Sequence, residues 1–322
     1  MTFNWGIIGT GGIAKEFVRD FTFTSGHEVL AIGSRTQESA DRFAAELKVP
    51  RAYGSHEAIV SDPDIDGIYV ATPHPNHLPA TLLALEAGKP VLCEKPFAMS
   101  AAEARTMIAK AREKNLMLME AMWTRFLPHI IHIRSLLDAK VLGEIMTVEA
   151  DHGQWFVLDP KFRLFDPEVG GGALLDLGIY PISFAHMVVG VPDSIQSAST
   201  KAFTGVDGQT SAIFSYKSGA QAILTCSLNA ATPCKAVITG TLGRIEIDTR
   251  FYAASPYRVI MRNGETTEYP RIYDGRGSRE EAIEFARCVR AGLLESPMMK
   301  LSETLEILES MDAIREQIGL VY

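Results

Sequence analysis

Three side chains in this sequence have the chemistry to hold or move a proton beside a ligand: Lys95, Asp176 and Tyr180. Lys95 follows the apolar run Val91-Leu92-Cys93-Glu94 and precedes Pro96. A lysine at the carboxyl end of a buried parallel strand stands where open α/β sheets bind their ligands. In a strand-to-helix loop it is a solvated surface charge, and position alone leaves both readings open. Asp176 and Tyr180 belong to Gly170-Gly171-Gly172-Ala173-Leu174-Leu175-Asp176-Leu177-Gly178-Ile179-Tyr180-Pro181, a glycine-rich entry into a helix. Four residues apart, they share one helix face and can aim two polar tips into one cleft. The alternatives are a structural hydrogen-bonding aspartate and a core tyrosine whose hydroxyl finds a partner. Pro181 lacks an N–H and is expected to distort the helix.

Gly9-Thr10-Gly11-Gly12-Ile13-Ala14 directly follows an apolar strand and opens a helix, the context in which GxGxxG/A signals dinucleotide binding. Gly9 permits the tight turn, Gly11 lets the backbone approach a pyrophosphate, and Ala14 lets helix and strand pack closely. The helix N-terminus offers its N–H groups to the phosphates. The second strand ends Ala31-Ile32-Gly33-Ser34-Arg35. An NAD site places an acid there, on the ribose 2′-hydroxyl. With no acid present, Ser34 and Arg35 suit a 2′-phosphate, so NADP is favoured over NAD. Arg42 reads as a solvated helix charge.

The elements that must position these residues follow from the apolar pattern. Strands are expected at Phe3 to Ile8, Glu28 to Gly33, Gly67 to Ala71, Pro90 to Cys93 and Leu116 to Met119. Helices are expected at Gln37 to Leu47, Leu78 to Ala87 and Ala101 to Asn115, the last opened by the capping box Ser100/Glu103. That alternation builds a doubly wound parallel sheet. After Glu120 a helix led by Pro128 precedes strands such as Glu144 to Asp151, Ser194 to Phe203, Thr210 to Tyr216 and Ala220 to Leu228. Lys217-Ser218-Gly219 and Asn263-Gly264 fit hairpin turns. Two helices, Ser278 to Arg290 and Ser302 to Ile318, close the chain. The expectation is a dinucleotide-binding domain over 1–120 and an α+β domain with a mostly antiparallel open sheet over 121–322.

Composition narrows the function. The 322 residues are 47% hydrophobic and 22% charged, enough for two cores, and 39 acidic against 31 basic residues give a net charge of −8. No cationic surface is offered to nucleic acid or an anionic membrane. Cys93, Cys226, Cys234 and Cys288 are scattered singly, and His74 and His77 lack acidic or cysteine companions at ligand spacing, so no metal is assigned. No stretch reaches the roughly 18 apolar residues of a membrane span, and the N-terminus carries no basic leader. A cytoplasmic protein is expected.

Taken in order, the glycine loop, Thr72-Pro73-His74-Pro75-Asn76-His77, Glu94-Lys95-Pro96 and Gly-Gly-Ala-Leu-Leu-Asp-Leu-Gly resemble the Gfo/Idh/MocA oxidoreductase family over nearly the whole chain. Many members carry a histidine four residues after the aspartate. Tyr180 stands there instead, which looks like the dimeric dihydrodiol dehydrogenase and NADP-dependent xylose dehydrogenase branch, as does Glu120-Ala121-Met122-Trp123-Thr124-Arg125-Phe126. The resemblance implies a nicotinamide dehydrogenase of a sugar, polyol or vicinal diol, with Lys95 and Tyr180 as its catalytic pair. A free tyrosine, with its pKa near about 10, is a poor base at neutral pH, and an ammonium favours its phenolate. Asp176 would orient a substrate hydroxyl. The cofactor residues are then Gly9, Thr10, Gly11, Gly12, Ile13, Ser34, Arg35, Thr72, His77, Glu94 and Lys95. His77 is assigned either beside the nicotinamide or to backbone groups of its loop. Trp123 and Phe156 suit an aromatic wall against a sugar or diol ring, or simple core. A nicotinamide-dependent glycosidase and a non-catalytic cofactor sensor are the competing readings; the family's histidine-bearing helix fits the first better than Tyr180 does. The open sheet leaves one face bare, and in the family another subunit covers it, so a homodimer or larger assembly is expected.

Overall fold

Short apolar runs separated by amphipathic helices form the first sheet of the computed structural model, which describes residues 2–322. Its elements are β1 (Phe3–Ile8), α1 (Gly12–Asp20), β2 (His27–Gly33), α2 (Gln37–Leu47), β3 (Arg51–Tyr53), α3 (His56–Val60), β4 (Gly67–Val70), α4 (His77–Glu86), β5 (Val91–Glu94), α5 (Ala101–Lys114) and β6 (Leu118–Ala121). Every residue of β4, β5 and β6 is buried, as expected of strands covered on both faces. The order is β3-β2-β1-β4-β5-β6 and every pairing is parallel. This is the Rossmann arrangement, whose ligands bind outside the carboxyl ends where the strand order reverses, between β1 and β4. Ser100 accepts the Glu103 N–H at 3.3 Å and Glu103 accepts that of Met99 at 3.0 Å, so the expected cap starts α5. The short, half-buried β3 and the one-turn α3 escape a periodicity argument.

The second unit contains α6 (Pro128–Asp138), β7 (Ile145–Gly153), α7 (Ile179–Val189), β8 (Ser194–Lys201), β9 (Asp207–Ser215), β10 (Gln221–Ser227), β11 (Ala236–Gly240), β12 (Gly243–Ile247), β13 (Tyr257–Met261) and β14 (Thr266–Tyr269). The sheet order is β14-β13-β12-β11-β7-β10-β9-β8, antiparallel except for β7 beside β10. Val148, Ala150, Ala222, Leu224 and Ile238 point to the buried face, where α7 packs on β7 and β10. The opposite face is not the apolar surface expected. It shows one aliphatic pair, Ile213 opposite Ile223, 42% and 43% exposed, between Gln196 on β8 and Glu149 on β7.

Residues 167–189 form the one helical segment, among the described residues, with the length and average apolar character of a bilayer span, although Glu168, Asp176 and His186 interrupt its apolar run. By length and mean hydropathy (1.4) the segment is apolar enough, and 83% of its apolar window is buried, as in a core helix. Within it, Leu174–Gly178 forms a π-helical turn. An i→i+5 turn changes the angular spacing, so four residues no longer make one α-helical turn between Asp176 and Tyr180. Pro181, which has no N–H to donate, follows directly.

Last come α8 (Ser278–Arg290) and α9 (Leu301–Ile318). By contact, one unit is Met1–Phe126 with Asp274–Leu305, and the other is Leu127–Tyr273 with Glu306–Tyr322. Thus α8 joins the first unit, whereas the sequence reading places it in 121–322. The reason is Phe285, fully buried with its ring 5.2 Å from Trp5 and 6.1 Å from Phe3.

Candidate active site

The glycine loop is built for a phosphate. Gly9 has φ +117°, and a Cβ there would lie 2.4 Å from the Ala71 carbonyl oxygen, so no other residue fits. Ala14 is fully buried, and the Thr10 and Ser39 hydroxyls are 3.2 Å apart, tying the loop to α2. A Cβ on Gly11 or Gly12 would meet nothing within 4 Å, and no side chain of the Gly11 cap takes up the first N–H groups of α1. That open cradle fits a pyrophosphate, with Ile13 following in the first turn. Ser34, at the end of β2, is buried and donates its N–H to Tyr53 O at 3.0 Å, while Arg35 is exposed. Thr36 caps α2 by accepting the Ser39 N–H, and no carboxylate occurs from Ser34 to Gln37.

Beside Lys95, both His77 and Glu94 are held by protein partners. His77 is fully buried, with Nδ1 2.9 Å from Pro96 O and Nε2 2.9 Å from Thr72 O. Both nitrogens face backbone carbonyls, and burial holds its pKa below the ordinary value. His77 therefore ties two loops together and offers no ring nitrogen to a cofactor. Glu94 is buried as well, accepting from the Tyr69 hydroxyl and, at 3.1 Å, from the Lys95 N–H. Burial raises its carboxyl, and the Tyr69 hydrogen bond, Lys95 and Arg276 oppose the rise. Both of its carboxylate oxygens thus face protein donors. Thr72 Oγ1 is buried without a hydrogen-bond partner, a polar atom left over at the carboxyl side of the sheet. Lys95 itself is half-buried, at the carboxyl end of β5.

In the second unit Tyr180 is buried, its ring 5.1 Å from His152 and 5.0 Å from Tyr252. His152 and Tyr252 stack at 4.0 Å, and Gln154 Nε2 lies 2.9 Å from His152 Nε2 and 3.3 Å from the Tyr252 hydroxyl. Asp176 is buried and gripped by Arg163 through both terminal guanidinium nitrogens at 3.1–3.2 Å. The sequence reading missed Arg163, Tyr252, His152 and Gln154. Only the last two left a signal, their two-residue spacing at the end of a strand. Trp123 is buried in the first unit under the Arg276 guanidinium, 5.2 Å from the ring centre. Phe156, in the second unit, packs on a cluster containing Phe165, Leu177 and Leu228.

Residues 3–122 match the model of an oxidoreductase family with an NAD-binding Rossmann fold, and residues 130–246 match the Gfo/Idh/MocA C-terminal domain. The chain belongs to the Gfo/Idh/MocA oxidoreductase family. The expected family, two-domain fold and dinucleotide-dependent oxidoreductase activity therefore stand. Trans-1,2-dihydrobenzene-1,2-diol dehydrogenase of Xenopus laevis is 40% identical over 333 residues, covering all of both chains. Among solved structures, aldose-aldose oxidoreductase from Caulobacter crescentus, complexed with glycerol, matches with a TM-score of 0.88 and 26% identity, covering 99% of this chain and 98% of that one. A 3-ketoreductase from Actinomadura kijaniata, in complex with NADP and TDP-benzene, matches with a TM-score of 0.84, 26% identity and the same coverage.

Proposed function

We propose that this family member is an NADP-dependent dehydrogenase of a secondary alcohol in a sugar, polyol or vicinal diol, with Lys95 and Tyr180 as its catalytic pair. The observation that carries the reading is the position of Lys95, directly after β5 on the carboxyl side of the sheet whose glycine loop forms an open phosphate cradle. The full-length likeness to a diol dehydrogenase supports the substrate class. Gly9 to Ile13 would hold the pyrophosphate and Ser34 and Arg35 the 2′-phosphate, with Thr72 at the nicotinamide end. A bound nicotinamide would supply the hydride acceptor for the carbinol carbon. Tyr180 takes the hydroxyl proton as that carbon becomes a carbonyl, and returns it in the reductive direction. Lys95 supplies the ammonium that favours the phenolate. Asp176, gripped by Arg163, accepts a hydrogen bond from a neighbouring substrate hydroxyl.

The first unit binds the dinucleotide, and the second carries substrate and subunit contacts. A homodimer or larger assembly belongs to the same proposal, with the mostly polar outer sheet face and its exposed Ile213/Ile223 pair as the candidate contact. A cytoplasmic location is supported by four buried, unbridged cysteines. The test is absorbance at 340 nm with NADP and NAD against a panel of aldoses, polyols and trans-diols. Turnover is expected with NADP, and Tyr180→Phe is expected to lower kcat by about 10²–10⁴ while NADP affinity stays within about twofold. A Tyr180→Phe enzyme that keeps most of its turnover removes the assignment.

A further inference from the structure

The segment carrying Asp176 and Tyr180 hangs from a second buried aspartate outside the site. Asp207, the first residue of β9, is 1% exposed. Its Oδ2 accepts the N–H of Leu174, the first residue of the π turn, at 2.8 Å, and the Thr210 hydroxyl at 2.8 Å. Ala173, which precedes the turn, has no side chain able to cap it, so the cap comes across from the sheet. Gly172 has φ +121°, and a Cβ there would lie 2.2 Å from Asp207 Oδ1. The glycine-rich entry thus makes room for this carboxylate.

We infer that Asp207 is a positioning residue for the reaction: the negative charge on its carboxylate holds the first N–H of the π turn and thereby sets where Asp176 and Tyr180 stand. The inference rests on the reading of Tyr180 as the acid–base group. The groups facing Asp207 from the elements around it are the Thr210 hydroxyl on its own strand, the Cys226 thiol on β10 and the Tyr322 hydroxyl. The Tyr322 ring carries Arg315 of α9 at 5.3 Å. Burial pushes the Asp207 carboxyl up to about 6, while the Thr210 and Leu174 hydrogen bonds hold it down. At neutral pH it is ionised. Protonation in mildly acidic solution removes the charge-assisted bond to Leu174.

Three proteins test this, all as full chains with NADP and a substrate found in the panel. The wild type is expected to lose kcat below about pH 6. Asp207→Asn keeps the shape and one acceptor oxygen; it is expected to have about tenfold lower kcat at pH 7.5, no acid limb near 6, and NADP affinity within about twofold. Thr210→Val removes a donor to the same oxygen and is expected to keep its kcat at pH 8 while its acid limb moves to higher pH. Superimposable pH profiles for the three overturn the inference, as does an Asp207→Asn enzyme that is merely slower with its limb still near 6. Failure of the acid–base reading shows separately, as turnover surviving in Tyr180→Phe.

Discussion

Replacing Glu120 by glutamine tests the energetics of the first unit with a sign that depends on pH. Glu120 lies in β6, 1% exposed; Oε2 accepts the Thr304 hydroxyl at 2.9 Å, and Oε1 is buried without a partner. Burial raises its carboxyl from 4.5 to about 7, against the opposing pull of the Thr304 hydrogen bond and Arg125. The folded protein therefore holds the proton more tightly than the unfolded chain. The stabilisation this gives is complete below about pH 4.5 and is lost as pH rises through 7. At about 1.36 kcal/mol per pKa unit, the change amounts to about 3 kcal/mol. Glu120→Gln removes the titration. Its stability relative to wild type is expected to be greater at pH 9 than at pH 5 by about 3 kcal/mol, or roughly 6–12 °C in Tm. Any constant cost of the amide cancels in that comparison. Urea unfolding of both proteins at pH 5, 7 and 9 gives the answer. A stability difference that does not vary with pH refutes the reasoning.

Other outcomes follow from the geometry. Gly9→Ala forces a Cβ against the Ala71 carbonyl at a φ of +117°; about 1–3 kcal/mol of stability should be lost and calorimetry should show NADP binding at least about tenfold weaker, whereas unchanged binding sinks the cradle. Ser34→Asp with Arg35→Ala restores an acid and removes the cation, so the kcat/KM ratio of NADP to NAD should fall by about 10–100-fold; an unaltered ratio means the 2′-phosphate is read elsewhere. Ile223→Lys puts a charge in the centre of the uncovered sheet face. Sedimentation should then show dissociation to monomers, and an unchanged mass would exclude this face as the subunit contact.

The sequence was most legible where side-chain periodicity and local chemistry coincide. β1, α2 and α8 begin and end where their apolar spacing and flanking residues place them. In the glycine loop, Gly9 was legible because its left-handed φ and the nearby Ala71 carbonyl leave no room for a side chain. Of the two readings of His77, the backbone one fits its geometry, and Glu94, read as a cofactor residue, is held by protein donors, since a motif marks where a loop is held without saying which atoms face the ligand. The π turn was invisible because an i→i+4 spacing on paper looks the same whichever way the backbone winds. Arg163 gripping Asp176, His152 stacked on Tyr252 and Asp207 capping Leu174 join residues 13, 100 and 33 positions apart through tertiary structure. Single-sequence patterns carry no such information.

The return of α8 to the first sheet has a bearing on synthesis. A ribosome making about 5–20 residues per second spends roughly 10–30 s between the last strand of that sheet and the helix that supplies Phe285. Throughout that interval the surface over Phe3 and Trp5 lacks its lid, although all six parallel strands have already been made. The nascent chain thus carries an unfinished, sticky nucleotide fold while the antiparallel half is being translated, and premature termination before residue 278 leaves a product with that wound still open.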